Sequence, residues 1–250
     1  MQPRQAARRV NIGDLTWHQG DYTAALTLHE QSLALRQEIG DESPSQNLNS
    51  LGRVARVDGD YERARALTEQ SLALARKQGF RSGEVWALHD LGEIARDQGE
   101  YARAAALYQE ALAIARDVGA PSWPASMLNR LGEVAQTQGD YARAGALHRE
   151  SLQIFRDLGQ KRDSALCLEG LAWVAEAQGY AKRSAVIYGA VAALREATGA
   201  QEPPRHRANY ASSVERARER LSETAFAAAW AEGHAMPLAQ AIEYALNAES

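Results

Sequence analysis

The sequence has little of several features that would point to a particular chemistry. It contains one cysteine, Cys167, among 250 residues, which excludes an internal disulfide framework and suits a reducing compartment. We interpret Cys167 as a small apolar packing residue rather than a nucleophile. No apolar run is long enough to span a membrane, and the N-terminus has no signal-peptide pattern. We therefore expect a cytoplasmic protein without a membrane partner.

The sequence also lacks an excess of positive charge, since 28 Lys and Arg residues against 32 Asp and Glu residues give a formal net charge of −4 at pH 7. A surface that binds nucleic acid is usually basic. We therefore expect no direct nucleic-acid partner.

The motifs of common enzymes are missing as well. There is no Gly-rich phosphate loop ending in Lys-Ser/Thr, no His-Glu-x-x-His, no Cys-x-x-Cys and no Gly-x-Ser-x-Gly. The six histidines are spread along the chain, and His29 and His148 take the place that tyrosine holds at Tyr108 and Tyr188. Packing explains these two histidines better than metal binding. We expect no catalytic residues, no metal and no cofactor.

What the sequence does contain is repetition. Four tyrosines recur at separations of 39, 40 and 40 residues, namely Tyr22, Tyr61, Tyr101 and Tyr141. A glycine precedes each at a fixed distance, and Gly179 continues the series although Ala181 replaces the tyrosine. A period of this size indicates a solenoid, in which each unit buries its apolar face only by stacking on its neighbours.

Each unit is predicted to be a helix, a tight turn and a second helix. In the fourth unit the turn is Gly139-Asp140, where Asp140 can accept a hydrogen bond from the first amides of the second helix. Gly159 closes that helix in a left-handed conformation. The equivalent N-terminal positions are Asp21, Asp60 and Glu100, and the equivalent closing positions are Gly40, Gly79, Gly119 and Gly199.

A glycine also recurs inside the first helix of four units, at Gly13, Gly52, Gly92 and Gly132. Glycine there costs about 0.5–1 kcal/mol relative to alanine. We expect the compensation to be close helix packing, with Gly132 facing Ala144.

The internal glycine and the Gly-Asp-Tyr-x-x-Ala turn resemble the tetratricopeptide repeat. HEAT and armadillo repeats have a similar length but lack this turn, whereas the tetratricopeptide period is usually about 34 residues. The resemblance implies an all-α, right-handed superhelical solenoid of about five units, spanning 4–41, 42–81, 82–120, 121–160 and 161–200. Residues 201–250 are predicted to form a helical cap, with helices at 205–221, 222–232 and 237–247.

The predicted boundaries place the first helix at 4–19 and the connecting loops at 41–47, 120–125 and 200–206. Six of the seven prolines then fall outside helices, and Pro237 falls in the first turn of the last helix. Arg9 stands where later units have leucine. Either the solenoid begins there with a solvated cap, or an upstream domain contacts Arg4, Arg8 and Arg9.

The tail is similar to the C-terminal end of large bacterial regulators that join a signalling ATPase of the STAND class to tetratricopeptide repeats, including LuxR-type activators. The matching positions are Gly189-Ala190, Ala193-Leu194-Arg195, Pro203-Pro204, Tyr210, Phe226, Ala229-Trp230-Ala231, Gly233, Met236 and Ala245-Leu246. The resemblance implies that the chain is the sensor or regulatory arm of such a regulator, with an ATPase domain as a partner at its N-terminal end.

One stripe on the first helices differs from unit to unit, and in a tetratricopeptide superhelix it lines the concave groove. We call it the groove stripe; it comprises Asn49, Arg53, Arg56, Trp86, His89, Glu93, Arg96, Asn129, Glu133, Gln136, Glu169, Trp173 and Glu176. We expect the stripe to be positively charged in the earlier repeats of the chain and negatively charged in the later ones. Trp86 and Trp173 are candidate anchors for a protein or peptide segment; alternatively, both pack between units and the charges are a solvated face.

The sequence therefore predicts a non-catalytic protein-binding module. The alternatives are a structural or self-associating scaffold without a dedicated ligand, and a small-ligand sensor.

Overall fold

The computed structural model describes residues 2–18, 20–39, 45–198 and 204–247. Over these residues the chain forms thirteen α-helices and no strand, which confirms the all-α fold class. The helices are α1 (Gln2–His18), α2 (Tyr22–Glu38), α3 (Ser45–Val57), α4 (Tyr61–Gln78), α5 (Arg81–Asp97), α6 (Tyr101–Val118), α7 (Ser122–Thr137), α8 (Tyr141–Asp157), α9 (Lys161–Ala177), α10 (Ala181–Thr198), α11 (Pro204–Glu219), α12 (Glu223–His234) and α13 (Leu238–Leu246). None of these described helices is both long and apolar enough to cross a membrane.

The helices fall into two compact units, residues 1–119 and 120–250. In the first unit α1 packs on α2, α3 on α4, and α5 on α6. In the second, α7 packs on α8 and α9 on α10. These are the helix pairs that the repeat predicts.

The second helices begin and end as their sequences specify. The Asp60 and Asp140 carboxylates each accept a hydrogen bond from the backbone amide three residues later, at 3.1 Å, and Asp21 does the same at 3.0 Å. Glu100 makes no such cap bond. Left-handed glycines follow three second helices, with φ of 64° at Gly79, 79° at Gly119 and 67° at Gly159. The predicted caps Gly40 and Gly199 lie outside the described residues.

Two first helices, α1 and α7, and the tail helix α11 begin earlier than predicted, because proline is accepted in a first turn, where the amide it lacks has no helical partner. α7 begins at Ser122 and contains Pro124, α1 contains Pro3, and α11 begins at Pro204. The prediction that these prolines lie outside helices was wrong. Pro237 immediately precedes α13 rather than lying in its first turn.

Most of the glycines within the first helices make room for a large side chain rather than for the close backbone approach that was expected. A Cβ atom added to Gly132 would lie 2.7 Å from the His148 ring, and one added to Gly92 would lie 2.5 Å from the Tyr108 ring. The expected partner of Gly132, Ala144, is not among its near neighbours. Gly13 likewise faces the ring of His29, so three of the four glycines leave space for a ring carried by the second helix of their own unit. Gly52 differs, because an added Cβ atom would meet the Thr68 side chain and would lie 3.1 Å from the Ala64 carbonyl, which is a close backbone approach.

Close backbone approach does occur between α10 and α12. A Cβ atom added to Gly233 would overlap the Val186 carbonyl, and one added to Gly189 would overlap the Trp230 carbonyl. α13 is held nearby, since the Arg183 guanidinium donates to the carbonyls of Tyr244 and Ala245 at 3.0 and 3.1 Å. These contacts support the proposal that the tail caps the last repeat.

Candidate partner-binding surface

The groove stripe of the first unit lies on α3 and α5, two first helices that contact one another. On α5 the residues Trp86, His89, Glu93 and Arg96 follow helical spacing and share one side of the helix. α3 contributes Asn49, Arg53 and Arg56. The two helices thus bring these predicted residues onto adjoining surfaces.

A buried carboxylate that the prediction missed, Asp90, joins the two helices. The Asn49 amide donates to Asp90 Oδ2 at 2.6 Å, and His89 Nδ1 lies 2.8 Å from Asp90 Oδ1. Burial opposes ionisation of Asp90, but the hydrogen bond with His89 and the positive charges of His89, Arg53 and Arg56 outweigh it and hold its pKa below the usual value. Asn49 and His89 are therefore fixed in place by a charged partner.

A second cluster lies further along the same helices. Arg56 pairs with Asp97 at 2.7 Å, while the buried Glu93 carboxylate accepts from Arg96 at 2.8 Å and from the Tyr108 hydroxyl at 2.6 Å. The expectation of a cationic early stripe was wrong, because these arginines are neutralised within the unit. The pairs hold the stripe in one arrangement.

Two tryptophans lie among these polar groups. The Arg53 guanidinium lies 4.5 Å from the centroid of the Trp17 ring. Trp86 is 37% exposed and meets the edge of Phe80, with ring centroids 6.1 Å apart. Trp86 therefore presents an aromatic surface beside the fixed polar network.

In the second unit α7 carries Asn129, Glu133 and Gln136. Asn129 Oδ1 lies 2.8 Å from His148 Nδ1, and its amide donates to Glu133 at 3.3 Å. Glu133 also pairs with Arg130 at 2.8 Å, and Gln136 donates to the Gly170 carbonyl of α9 at 2.8 Å. Asn129 therefore connects α7 to α8, Gln136 connects α7 to α9, and Glu133 pairs within α7 itself.

α9 carries Glu169, Trp173 and Glu176. Glu169 pairs with Arg195 at 2.6 Å. The buried Glu176 carboxylate lies 2.8 Å from Arg220 and 3.7 Å from Arg216, two residues of the tail. The late stripe is therefore not a surface of uncompensated negative charge, which corrects that expectation.

Trp173 differs from Trp86 in its surroundings. It is partly buried, its ring centroid lies 5.5 Å from that of Tyr141, and it packs against the buried cluster of Ala135, Ala144 and Val174. This geometry supports the packing alternative for Trp173.

The histidine and the cysteine that could offer chemistry in the second unit, His148 and Cys167, are both buried. His148 lies between Gly132 and Gly170, and burial lowers its pKa to about 4. Burial raises the pKa of the Cys167 thiol to about 12, and Ser151 Oγ lies 3.1 Å from its sulfur. Within the described ranges, no three His, Cys, Asp or Glu side chains are grouped so that they could hold a metal ion.

Paired helices with left-handed glycine turns and a variable polar face on their first helices define a class of helical repeat proteins. The tetratricopeptide repeat family matches residues 4–77, 45–117 and 123–198, which is more than half of the chain. The chain belongs to the tetratricopeptide repeat family. No curated protein sequence matches it.

Solved structures of similar fold include two Rap proteins. Apo RapI has a TM-score of 0.70 at 14% identity, over 96% of this chain and 81% of RapI. A Rap protein complexed with competence and sporulation factor has a TM-score of 0.63 at 13% identity, and the match covers 91% of this chain but 55% of the Rap protein. BtubC (BKLC) from P. vanneervenii has a TM-score of 0.60 at 19% identity, over 100% and 93% of the two chains. At these identities the likeness shows the fold.

Proposed function

We propose that the chain is a non-catalytic binding module that holds a protein or peptide segment on its groove stripe. The observation that carries the proposal is the surface formed by α3 and α5, where the exposed Trp86 lies on the same side of α5 as polar groups already fixed by Asp90, Glu93 and Asp97. An aromatic side chain of this kind is a typical anchor of a protein interface.

The fixed polar groups favour binding because their arrangement is present before a partner arrives. Ordering a flexible side chain on binding costs about 0.5–1.5 kcal/mol. His89 and Arg96 are already positioned by Asp90 and Glu93, so a partner that bonds to them is spared most of this cost. Fixed polar groups also set the register of the bound segment.

Within the second unit, the stripe residues have a different character. Glu133 and Gln136 offer partly exposed polar groups, whereas Asn129 is buried and Trp173 and Glu176 mainly join helices. The complex of a structurally similar Rap protein with competence and sporulation factor supports a binding role for the fold.

Affinity capture from a lysate of the source cells tests the proposal. Three baits are compared: the wild-type chain, Trp86→Ala, and the matched control Tyr180→Ala, which removes an aromatic side chain that is 58% exposed outside the stripe. We expect a protein retained by the wild type and the control but lost by Trp86→Ala. If the three baits retain the same material, or nothing, the binding proposal fails.

We further propose that the module is the regulatory arm of a bacterial signalling ATPase. Several of the tail positions that resemble such regulators make packing contacts: Gly189 and Gly233 form the α10–α12 crossing, Phe226 and Trp230 pack together, and the Tyr210 hydroxyl donates to the Tyr188 carbonyl. The resemblance thus describes one packed module. We expect the captured material to include a protein with a nucleotide-binding ATPase domain whose hydrolysis rate changes when this chain is added; an unchanged rate would contradict the regulatory role.

A further inference from the structure

The outer face of α1 exposes apolar side chains that the other repeats bury. Leu15 is 57% exposed and Ile12 is 38% exposed. The repeat places Leu15 at the position of Val54, Ile94, Val134 and Val174, and Ile12 at that of Leu51, Leu91, Leu131 and Leu171. All eight of these equivalents are at most 6% exposed.

The second unit shows what covers this face in a later repeat. Val174 of α9 belongs to one buried cluster with Ala144 of α8, and Leu147 packs against that cluster. Leu171 belongs to another cluster with Leu152 and Phe155 of α8. The covering element is therefore the second helix of the preceding repeat.

We propose that the α1 face formed by Arg8, Ile12 and Leu15 is a docking surface for the second helix of a tetratricopeptide-type hairpin carried by a partner protein. This surface is separate from the groove stripe, and the proposal does not depend on the function proposed above. It follows from the internal repeat, because α1 offers the same face that α9 buries against α8.

The partner helix can be specified by the residues that meet α9. It carries a small residue where α8 has Ala144 and leucine where α8 has Leu147. Ser151 of α8 meets Cys167, and the repeat places the exposed Arg8 at the position of Cys167. The partner helix therefore carries a carboxylate at the Ser151 position, seven residues after its small residue, to pair with Arg8.

A second copy of the chain does not fit as the occupant in a head-to-tail arrangement. The last second helix, α10, is already covered by α12 at the crossing of Gly189 and Gly233. The face of α10 on which the first helix of a further repeat would pack is therefore already covered by α12 of the same chain.

The proposal is tested by fusing such a hairpin to the full chain. Residues 121–160, the α7–α8 hairpin, are joined ahead of Gln2, which keeps the register because residue 161 is the repeat equivalent of residue 2. We expect hydrogen exchange of the α1 amides to slow by about tenfold or more, the factor expected from burial of one large apolar side chain. Ser151→Glu in the added copy should slow exchange further by pairing with Arg8.

The control is the double variant Ile12→Lys, Leu15→Lys, made with and without the added hairpin. Without the hairpin it should melt close to the wild type, because both side chains are exposed; with the hairpin it should lose the protection. Unchanged exchange in the wild-type fusion would overturn the proposal. Self-association of the unfused chain that is lost in the double variant would also overturn it, since the occupant would then be a second copy.

Discussion

At the residue scale, the position that His148 occupies in the repeat is filled by different buried side chains in different units. The repeat places His29, Thr68, Tyr108, His148 and Tyr188 at equivalent points of the second helices, and all five are buried. The sequence predicted that these residues pack, because the repeats align them. It did not predict that glycines face them, because the rotation of one helix against another is not written in a single sequence.

The burial of His148 has a consequence for stability. Its pKa falls from 6.5 to about 4 because burial disfavours the charged ring. Between these pH values the unfolded chain binds a proton that the folded chain does not, so stability falls as pH decreases through this window. The expected loss is about 3 kcal/mol, complete below pH 4.

His148→Gln is the matched variant, since glutamine does not titrate in this range. The measurement is the free energy of urea unfolding of both proteins between pH 7 and pH 4. Their difference isolates His148, because other titrating groups such as His29 are common to both. A difference that does not change with pH would show that the ring is accessible to protons in the folded state.

At the element scale, the crossing of α10 and α12 brings two helix backbones into direct contact at a pair of glycines. Gly233 lies against the backbone of Val186, so a methyl group at this position would clash with the Val186 carbonyl unless the two helices moved apart. We expect Gly233→Ala to lower the free energy of unfolding by about 1–3 kcal/mol, as overpacking does.

Gly145→Ala is the control for this prediction. A Cβ atom at Gly145 would be 3.4 Å from the end of the Arg149 side chain and 3.7 Å from Val174, which is ordinary contact. The Gly145→Ala variant should have a free energy of unfolding about 0.5–1 kcal/mol higher than the wild type, because alanine favours the helix. Calorimetric melting of the two variants in parallel measures both effects, and a stabilising Gly233→Ala would show that the two helices are not in close contact.

The ends of the helices show which structural signals are local. The caps by Asp60 and Asp140 were predicted correctly because each joins residues three apart in sequence. The start of α7 was placed too late, because Pro124 looked like a helix breaker but lies in the first turn. Proline is disfavoured in the interior of a helix but accepted in its first turn. A proline in the sequence therefore locates the start of a helix only to within one turn.

At the scale of the whole molecule, the repeat period predicted the solenoid, and the internal glycine with the Gly-Asp-Tyr-x-x-Ala turn predicted the all-α tetratricopeptide family. The charge of the groove stripe was not predictable in the same way. Arg56 is neutralised by Asp97, which is 41 residues away, and Glu176 by Arg216 and Arg220 of the tail. Such pairings depend on how successive helices stack, so they become visible only when the elements are placed together.

We propose that the first unit binds its partner through Trp86. The most direct measurement is the dissociation constant of the captured segment for the wild type and for Trp86→Ala, together with the free energy of unfolding of both proteins. We expect binding weaker by about 2 kcal/mol, which is roughly 30-fold, and a loss of stability below about 1.5 kcal/mol, since the Trp86 side chain is already 37% exposed. An unchanged dissociation constant, with a loss of stability of about 3–5 kcal/mol, would show instead that Trp86 is a packing residue.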